Sequence, residues 1–189
     1  MVSGGNVENW VDMPQEIVGY LDKMRVNISA KEDSQKNLST VNYFLRASTQ
    51  SGADDGREIF VNELIGQEIS LEFTGEINCC HCQRPVKKSL QNGYCFPCTQ
   101  KLAACDFCVL APHKCHYHLG TCREKSWGEE HCMIPHYVYL ANTSGIKVGI
   151  NRTSQVPTRF IDQGAIQALP ILKVGTRYIS GLFEELFST

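Results

Sequence analysis

Clustered cysteine and histidine residues constrain this chain more than any other feature of its sequence. All ten cysteines and five of the six histidines of the 189 residues lie between Cys79 and Cys132. Two Cys-x-x-C pairs, Cys79/Cys82 and Cys95/Cys98, are separated by 12 residues. Each pair can turn both sulfurs to one side of a tight loop, so the four thiolates suit one tetrahedral Zn²⁺. A four-ligand site leaves no open position for a substrate water, so we predict that this zinc is structural.

A third pair, Cys105/Cys108, begins a second set of candidate ligands that is larger than one ion needs. The set continues with Cys115, His116, His118, Cys122, His131 and Cys132. We predict a second structural zinc. Its four ligands are left open within a group of six residues: Cys105, Cys108, Cys115, His118, Cys122 and Cys132.

An even number of cysteines also permits a disulfide framework. The first residues, 1–6, contain no basic stretch followed by an apolar one, so we expect no export to an oxidising compartment. We therefore predict a cytoplasmic protein with reduced, metal-binding cysteines. No apolar run approaches the roughly 18 residues that a membrane span requires, and no membrane partner is expected.

Charge is unevenly distributed along the chain. Residues 1–78 hold 6 Lys and Arg against 13 Asp and Glu, a net charge of −7. The segment 79–132 holds 7 against 4, or +3, and residues 133–189 hold 5 against 3, or +2. The basic excess on the second and third parts favours contact with DNA or RNA phosphates. Each four-thiolate zinc site offsets it by about −2.

These patterns predict an α+β protein with three units. The first unit, residues 1–77, is predicted to be a small, acidic, mostly β domain with strands at 26–29, 41–45 and 69–74. A loosely amphipathic stretch at 7–21, interrupted by Pro14, precedes those strands. The metal-binding segment occupies 78–135, and an α/β unit occupies 136–189.

The last unit reads as a hairpin, a helix, a strand and a second helix. Strands at 137–141 and 146–150 are joined by a turn at 142–145. A helix is predicted after Thr153 and Pro157, with an apolar face that runs to Ala165 and Ile166. A strand at 171–178 follows, and the apolar residues from Ile179 to Phe187 recur at helical spacing.

Four polar residues of this unit suit phosphodiester hydrolysis. Alternation along the hairpin places Tyr139 and Lys147 on one face, and the two helices contribute Arg159 and either Glu184 or Glu185. Together they offer a base for water, cations for the developing phosphate charge and a carboxylate for a divalent metal.

The order of these residues resembles the core of the GIY-YIG nucleases. The motifs on which the resemblance rests are Y-V-Y-L, K-V-G-I, P-T-R-F and G-L-F-E-E. The resemblance implies an active site in which a strand tyrosine, a second aromatic or lysine position beside a glycine, a helix arginine and a later glutamate surround one Mg²⁺. Tyr139, Lys147, Arg159 and Glu184 match those positions, with Glu185 as the weaker choice for the glutamate. The resemblance thus implies that Tyr139 acts as general base, Lys147 and Arg159 neutralise the phosphate, and Glu184 holds Mg²⁺. Tyr137 stands where that family usually has glycine, and Lys147 where it usually has tyrosine.

Nearly the whole chain is similar to a family of uncharacterised bacterial proteins known as DUF2797. The similarity rests on I-N-C-C-H-C, G-Y-C-F-P-C, C-D-F-C, C-H-Y-H-L-G-T-C-R, W-G-E-E-H-C and P-H-Y-V-Y-L. Members run on past the position of Thr189, so the last unit is expected to be short at its C-terminus. We expect a zinc-binding, nucleic-acid-associated protein with a Mg²⁺-dependent endonuclease site. The alternative is a non-catalytic zinc-ribbon module that binds nucleic acid or a protein.

Overall fold

Helices and antiparallel sheets are combined in this chain, as predicted, around the cysteine-rich segment. The structure is a computed structural model that describes residues 16–30, 39–49 and 56–188. Most of the interrupted amphipathic stretch predicted at 7–21 lies outside the described residues. Where it is described, residues 16–19 are not helical and Tyr20–Leu21 forms a short strand.

The first sheet is built around one long central strand. Its strands are β1 (Tyr20–Leu21), β2 (Arg25–Ala30), β3 (Ser39–Ser48) and β4 (Arg57–Phe60). Each of the other three pairs antiparallel with β3. The predicted strands at 26–29 and 41–45 are confirmed as parts of β2 and β3. Sequence reasoning did not predict β4, which follows a polar stretch and packs Phe60 against Phe44 with ring centroids 5.2 Å apart.

The strand predicted at 69–74 is wrong. This stretch has no ladder partner and follows a 3₁₀ turn at Val61–Leu64. Ile69, Leu71 and Phe73, the three apolar residues of the alternating pattern, are 57%, 73% and 72% exposed. Period-two alternation gives a strand only where a neighbouring strand pairs the backbone and a core receives the apolar face, and neither is present here.

The cysteine-rich segment has little regular structure. Its α-helices are α1 (Phe96–Lys101), α2 (Phe107–Leu110) and α3 (Lys125–His131). Four 3₁₀ turns connect them, at Gln91–Gly93, Ala103–Cys105, Pro112–Lys114 and Tyr117–Leu119. Its buried hydrophobic side chains are Cys79, Cys95, Cys98, Ala103, Cys105, Cys115 and Cys132. Val86, Tyr94 and Leu102 pack against the first of these cysteines but are only partly buried, and Pro112 is the one buried ring, so sulfur makes up most of the interior of residues 79–132.

A second sheet of three strands follows. The strands are β5 (His136–Asn142), β6 (Ile146–Arg152) and β7 (Gln167–Val174), in the order β6-β5-β7. The predicted hairpin is confirmed, and its central strand buries Val138, Tyr139 and Ala141. The third strand begins and ends four residues before its predicted bounds. Pro170 lies in it opposite Tyr139, at a register shift, which an edge strand tolerates.

Two helices complete the last unit, α4 (Thr158–Asp162) and α5 (Arg177–Phe187). The first is shorter than predicted because the chain turns at Gly164, whose φ is +66°, so Ala165 and Ile166 lie outside it. The second is confirmed as a helix, but its buried residues are Ser180 and Gly181, whereas Leu186 is 63% exposed. A Cβ at Gly181 would lie 2.5 Å from the backbone nitrogen of His113, so glycine allows α5 to contact the Pro112–Lys114 turn.

Within the described residues, none of the helices has the length and apolarity needed to cross a bilayer.

Gly149 of β6 allows Tyr139 to pack across the hairpin. The two residues face each other in the register, and a Cβ at position 149 would lie 2.6 Å from the Tyr139 Oη. We predict that Gly149→Ala lowers the free energy of unfolding by about 1 to 3 kcal/mol, because a fully buried ring must move. The measurement is denaturant unfolding. Gly145→Ala is the matched control, because a Cβ at that position would enter open space, and a loss as large as that of Gly149→Ala contradicts the explanation.

Candidate metal centre and cleft

Four cysteine sulfurs converge between two tight turns. Cys79 and Cys82 lie on a loop that is closed by the Gln83 amide, which donates to the Cys79 carbonyl at 2.9 Å. Cys95 is the N-cap of α1, and Cys98 lies in the first turn of that helix. The four sulfurs lie within 4.8 Å of one another, with Cys82 and Cys95 Sγ atoms 3.6 Å apart. A tetrahedral zinc with bonds of about 2.3 Å separates its sulfurs by about 3.8 Å, so the cluster is geometrically suited to Zn²⁺.

Backbone amides already favour one thiolate in this cluster. Burial raises the pKa of Cys79, but amide donors of Cys82, Cys95 and His81 outweigh it and lower that pKa to about 6. The Cys95 amide donates to the Cys79 Sγ at 3.2 Å. The pKa of Cys98 is raised, first by burial and then by its sulfur neighbours. A bound dication would compensate the negative charge that accumulates when four thiols in one place ionise.

Cys80 stands apart from the four sulfurs although it is next to Cys79 in the chain. Its Sγ donates to the Asn92 carbonyl at 3.7 Å. The four-sulfur set is complete without it, so no ligand position is left over for substrate chemistry.

The remaining predicted ligands divide between two places. Four of them line one small cavity: Cys108, Cys115, Cys122 and Cys132. Cys105 is buried outside that cavity, where its thiol interacts with Arg123 and Cys79. His118 packs its ring against Tyr178, with centroids 5.6 Å apart. Asp106, Cys108 and His116 also bring one potential ligand atom each to within 4.8 Å of the others.

A cleft of about 500 Å³ lies beside β6, which is the outer strand of the second sheet among the described residues. Residues 148–152 of β6 line its base, and α4, α5 and the segment 109–112 line its sides. Arg159 enters from α4 and Glu184 from α5, so the structure brings these two predicted residues to one cleft. Glu185, the alternative glutamate, does not line it, and its carboxylate lies 3.6 Å from His113.

Tyr139 lies behind the base of the cleft and is fully buried. Its hydroxyl donates to the Gln163 Oε1 at 2.7 Å, and its ring makes an edge contact with Phe160. Burial raises the pKa of Tyr139, while the Gln163 hydrogen bond and the charge of Arg159 act in the opposite direction. Lys147 lies on the same face of the hairpin as Tyr139 but is exposed and outside the cleft.

Cationic side chains outnumber acidic ones in the cleft. Four cations line it, Lys23, Arg152, Arg159 and Arg177, against the two acids Asp162 and Glu184. Lys23 and Asp162 form an ion pair of 2.8 Å, which leaves three guanidinium groups facing one carboxylate. Burial raises the pKa of Glu184, partly offset by Arg177 and His113.

Sequence reasoning missed Arg152, Arg177 and Gln163. Burial lowers the pKa of Arg152, and the nearby charge of Arg177 lowers it further. Arg152 lies two residues beyond the predicted strand 146–150 and shares the period of Val148 and Ile150, so alternation did not place it on the polar face. Arg177 and Gln163 also carry no local signal, since they reach the cleft through the path of the chain around the sheet.

Comparison with known proteins places the metal centre and the cleft in one family region. The family model described as "Protein of unknown function (DUF2797)" matches residues 66–189. No curated protein and no solved structure matches the chain.

Cys98 and Cys80 offer a matched test of the four-sulfur centre. We predict that Cys98→Ser removes one equivalent of zinc per chain and lowers the thermal midpoint, because no hydrocarbon core replaces the metal in this segment. Cys80→Ser should keep its zinc, since Cys80 lies outside the cluster. The measurement is elemental analysis of purified protein combined with thermal unfolding. Equal zinc contents in the two variants contradict the assignment.

Proposed function

The chain belongs to the DUF2797 family, and we propose that it is a zinc-stabilised, Mg²⁺-dependent phosphodiesterase that acts on nucleic acid in the manner of the GIY-YIG nucleases. One observation carries the proposal. Arg159 and Glu184 come from different helices and line the same cleft, with Gly149 at its base and the Tyr139 hydroxyl directly behind that glycine.

Glu184 is the proposed Mg²⁺ ligand. Its side chain is half-buried, lines the cleft, and forms no ion pair with any described residue. Mg²⁺ commonly uses one or two carboxylates and fills its other positions with water and phosphate oxygens, so a single glutamate fits. When bound, Mg²⁺ would supply charge neutralisation at the phosphate oxygens.

The guanidinium groups are proposed to bind the phosphate. Arg159 is exposed in the cleft, and Arg152 and Arg177 add two more cations to its lining. Fixed cations in a partly enclosed cleft stabilise the charge that develops on a phosphate during hydrolysis. Lys147 lies along β6 outside the cleft, so its proposed contact is with a strand of nucleic acid that extends beyond the site.

Tyr139 is the proposed general base, and because it is buried, that role requires its hydroxyl to become accessible from the cleft. The hydroxyl bonds to Gln163, whose own position is exposed on the turn after α4. Displacement of the Gln163 side chain would open the hydroxyl to the cleft through the space above Gly149. Burial raises the pKa of Tyr139 and the Gln163 hydrogen bond lowers it, so once Gln163 has moved the base role depends on the charge of Arg159 to favour the phenolate.

The zinc-binding segment contributes one wall of the proposed site. Val109, Leu110 and Pro112 line the cleft opposite β6. The Arg177 Nη2 donates to the Val109 carbonyl at 2.7 Å, which joins this wall to the start of α5. A structural zinc is therefore expected to affect activity through the shape of the cleft.

A second candidate function is nucleic-acid binding without hydrolysis. The full burial of Tyr139 favours it, because the proposed base does not reach the cleft in this structure, whereas three guanidinium groups do. Binding by phosphate contacts alone weakens steeply with salt.

Variants of Glu184 and of its neighbour Glu185 test whether the cleft hydrolyses phosphodiesters. Glu184→Gln and Arg159→Ala should each reduce Mg²⁺-dependent cleavage of single-stranded or plasmid DNA or of RNA by at least about 100-fold, because each removes charge stabilisation at the phosphate. Glu185→Gln should retain cleavage, since Glu185 is outside the cleft. The assay is product formation by the full chain with Mg²⁺ or Mn²⁺. Indistinguishable rates for wild type, Glu184→Gln and Arg159→Ala reject the hydrolytic proposal.

Salt dependence tests the phosphate contacts separately from turnover. Removing one contact should reduce the slope of log affinity against log salt by about 0.7 on a single strand, so Arg152→Ala should show this change. Arg57→Ala is the control, because Arg57 lies on β4 and outside the cleft. Fluorescence anisotropy with a labelled single strand measures both slopes. Tight binding with an unchanged slope in Arg152→Ala excludes that residue as a contact, and binding without cleavage in wild type selects the second function.

A further inference from the structure

Four cysteines line a small cavity in the cysteine-rich segment. It measures about 10 Å³, close to the space of one small ion or water, and its lining includes none of the first four sulfurs. The four residues, Cys108, Cys115, Cys122 and Cys132, come from separate positions along the chain. Cys108 lies on α2, Cys115 follows the Pro112–Lys114 turn, Cys122 precedes α3, and Cys132 is the C-cap of α3.

We infer that Cys108, Cys115, Cys122 and Cys132 bind a second structural metal ion of the zinc class. In this structure the four sulfurs line one cavity but no three of them lie within 4.8 Å of one another, so a bound ion would draw them together. Four thiolates would then complete a tetrahedral set without water. The ligand spacing is six, six and nine intervening residues, which differs from the Cys-x-x-C pairs of the first site. The adjacent pair Cys105/Cys108 is therefore divided, and only Cys108 serves as a ligand.

The small number of buried apolar side chains around these cysteines supports the inference. Between residues 103 and 132, the buried hydrophobic side chains are Ala103, Cys105, Cys115 and Cys132. Two short α-helices and three 3₁₀ turns make up the ordered structure of this stretch. Apolar burial on this scale offsets little of the conformational entropy of ordering these 30 residues, and metal coordination would add to the stabilisation.

Asp106 and His116 offer a competing ligand set with Cys108, but their polar atoms already have partners. The Asp106 carboxylate lies 2.7 Å from the Arg123 Nε, accepts from the Cys108 amide at 3.2 Å, and lies 3.4 Å from the His116 Nε2. His116 Nδ1 lies 2.8 Å from the Thr121 hydroxyl. These bonds suit residues that support a ligand rather than bind the ion, because metal ligands are commonly oriented by such outer hydrogen bonds. Thiolates are also the softer donors, which zinc accepts readily.

The second ion would connect the metal-binding segment to the last unit. The Cys132 carbonyl accepts from the Arg177 amide at 2.8 Å. Between Cys108 and Cys115, residues 109–112 form the cleft wall, and α5 packs on the turn that follows. The inference does not rest on the phosphodiesterase proposal, because it concerns metal binding alone.

Metal stoichiometry of the full chain tests the inference. Wild type should hold two equivalents of zinc by elemental analysis and native mass spectrometry, and Cys122→Ser should hold one. The controls Cys105→Ser, His118→Gln and His116→Gln should each retain two. One equivalent in wild type, or loss of an ion in His116→Gln with retention in Cys122→Ser, overturns the assignment.

Titration with Co²⁺ gives a second measurement that does not depend on a variant that folds. Thiolate-to-cobalt absorption of reduced, metal-free wild type should increase up to two equivalents, and two thiols, those of Cys80 and Cys105, should remain outside the metal sites. An end point at one equivalent, or protein isolated with Cys108, Cys115, Cys122 and Cys132 in disulfides, contradicts the inference.

Discussion

Convergence of the Cys79, Cys82, Cys95 and Cys98 sulfurs, in a geometry suited to a metal ion, is the constraint on which the rest of this structure depends. Residues 79–132 bury little hydrocarbon beyond Ala103 and Pro112, so the hydrophobic effect that holds most domains together is weak in this segment. The buried sulfurs are also poorly suited to one another without a cation, because burial and then the neighbouring sulfurs raise the pKa of Cys98. A bound dication would change this repulsion into attraction and fix several chain segments at once.

Rigidity in the cysteine-rich segment extends into the last unit through close backbone contacts. Gly181 allows α5 to approach the Pro112–Lys114 turn so closely that a Cβ at position 181 would clash with the backbone nitrogen of His113. Arg177 adds two hydrogen bonds, one from its amide to Cys132 and one from its guanidinium to Val109. Contacts made by backbone and glycine leave little room for adjustment. Loosening the sulfur-rich segment would therefore displace the arginine and the glutamate that α5 presents to the cleft.

Local patterns in the sequence predicted local structure well and long-range placement poorly. Cys79, Cys82, Cys95 and Cys98 were predictable because each pair needs only one tight turn, and the hairpin followed from alternation and its turn. The stretch 69–74 shows the same alternation but has no partner strand, which no local pattern reveals. Cys105 and Cys108 form a local pair that the fold divides, since Cys108 faces sulfurs up to 24 residues away. Arg177 and Gln163 reach the cleft only through the three-dimensional path of the chain.

Electrostatics at the edge of β6 links the cleft to its proposed ligand. Arg152 is half-buried, and both burial and the charge of Arg177 lower its pKa, so the protein holds like charges together at a cost. Glu184 offsets only one of the three guanidinium groups that remain after Lys23 pairs with Asp162. An anion with several oxygens would relieve this repulsion more fully than chloride or water, because it accepts hydrogen bonds from several guanidinium groups simultaneously. The proposed phosphate contacts therefore need no exposed tyrosine, and in the proposed mechanism binding is expected to precede the displacement of Gln163.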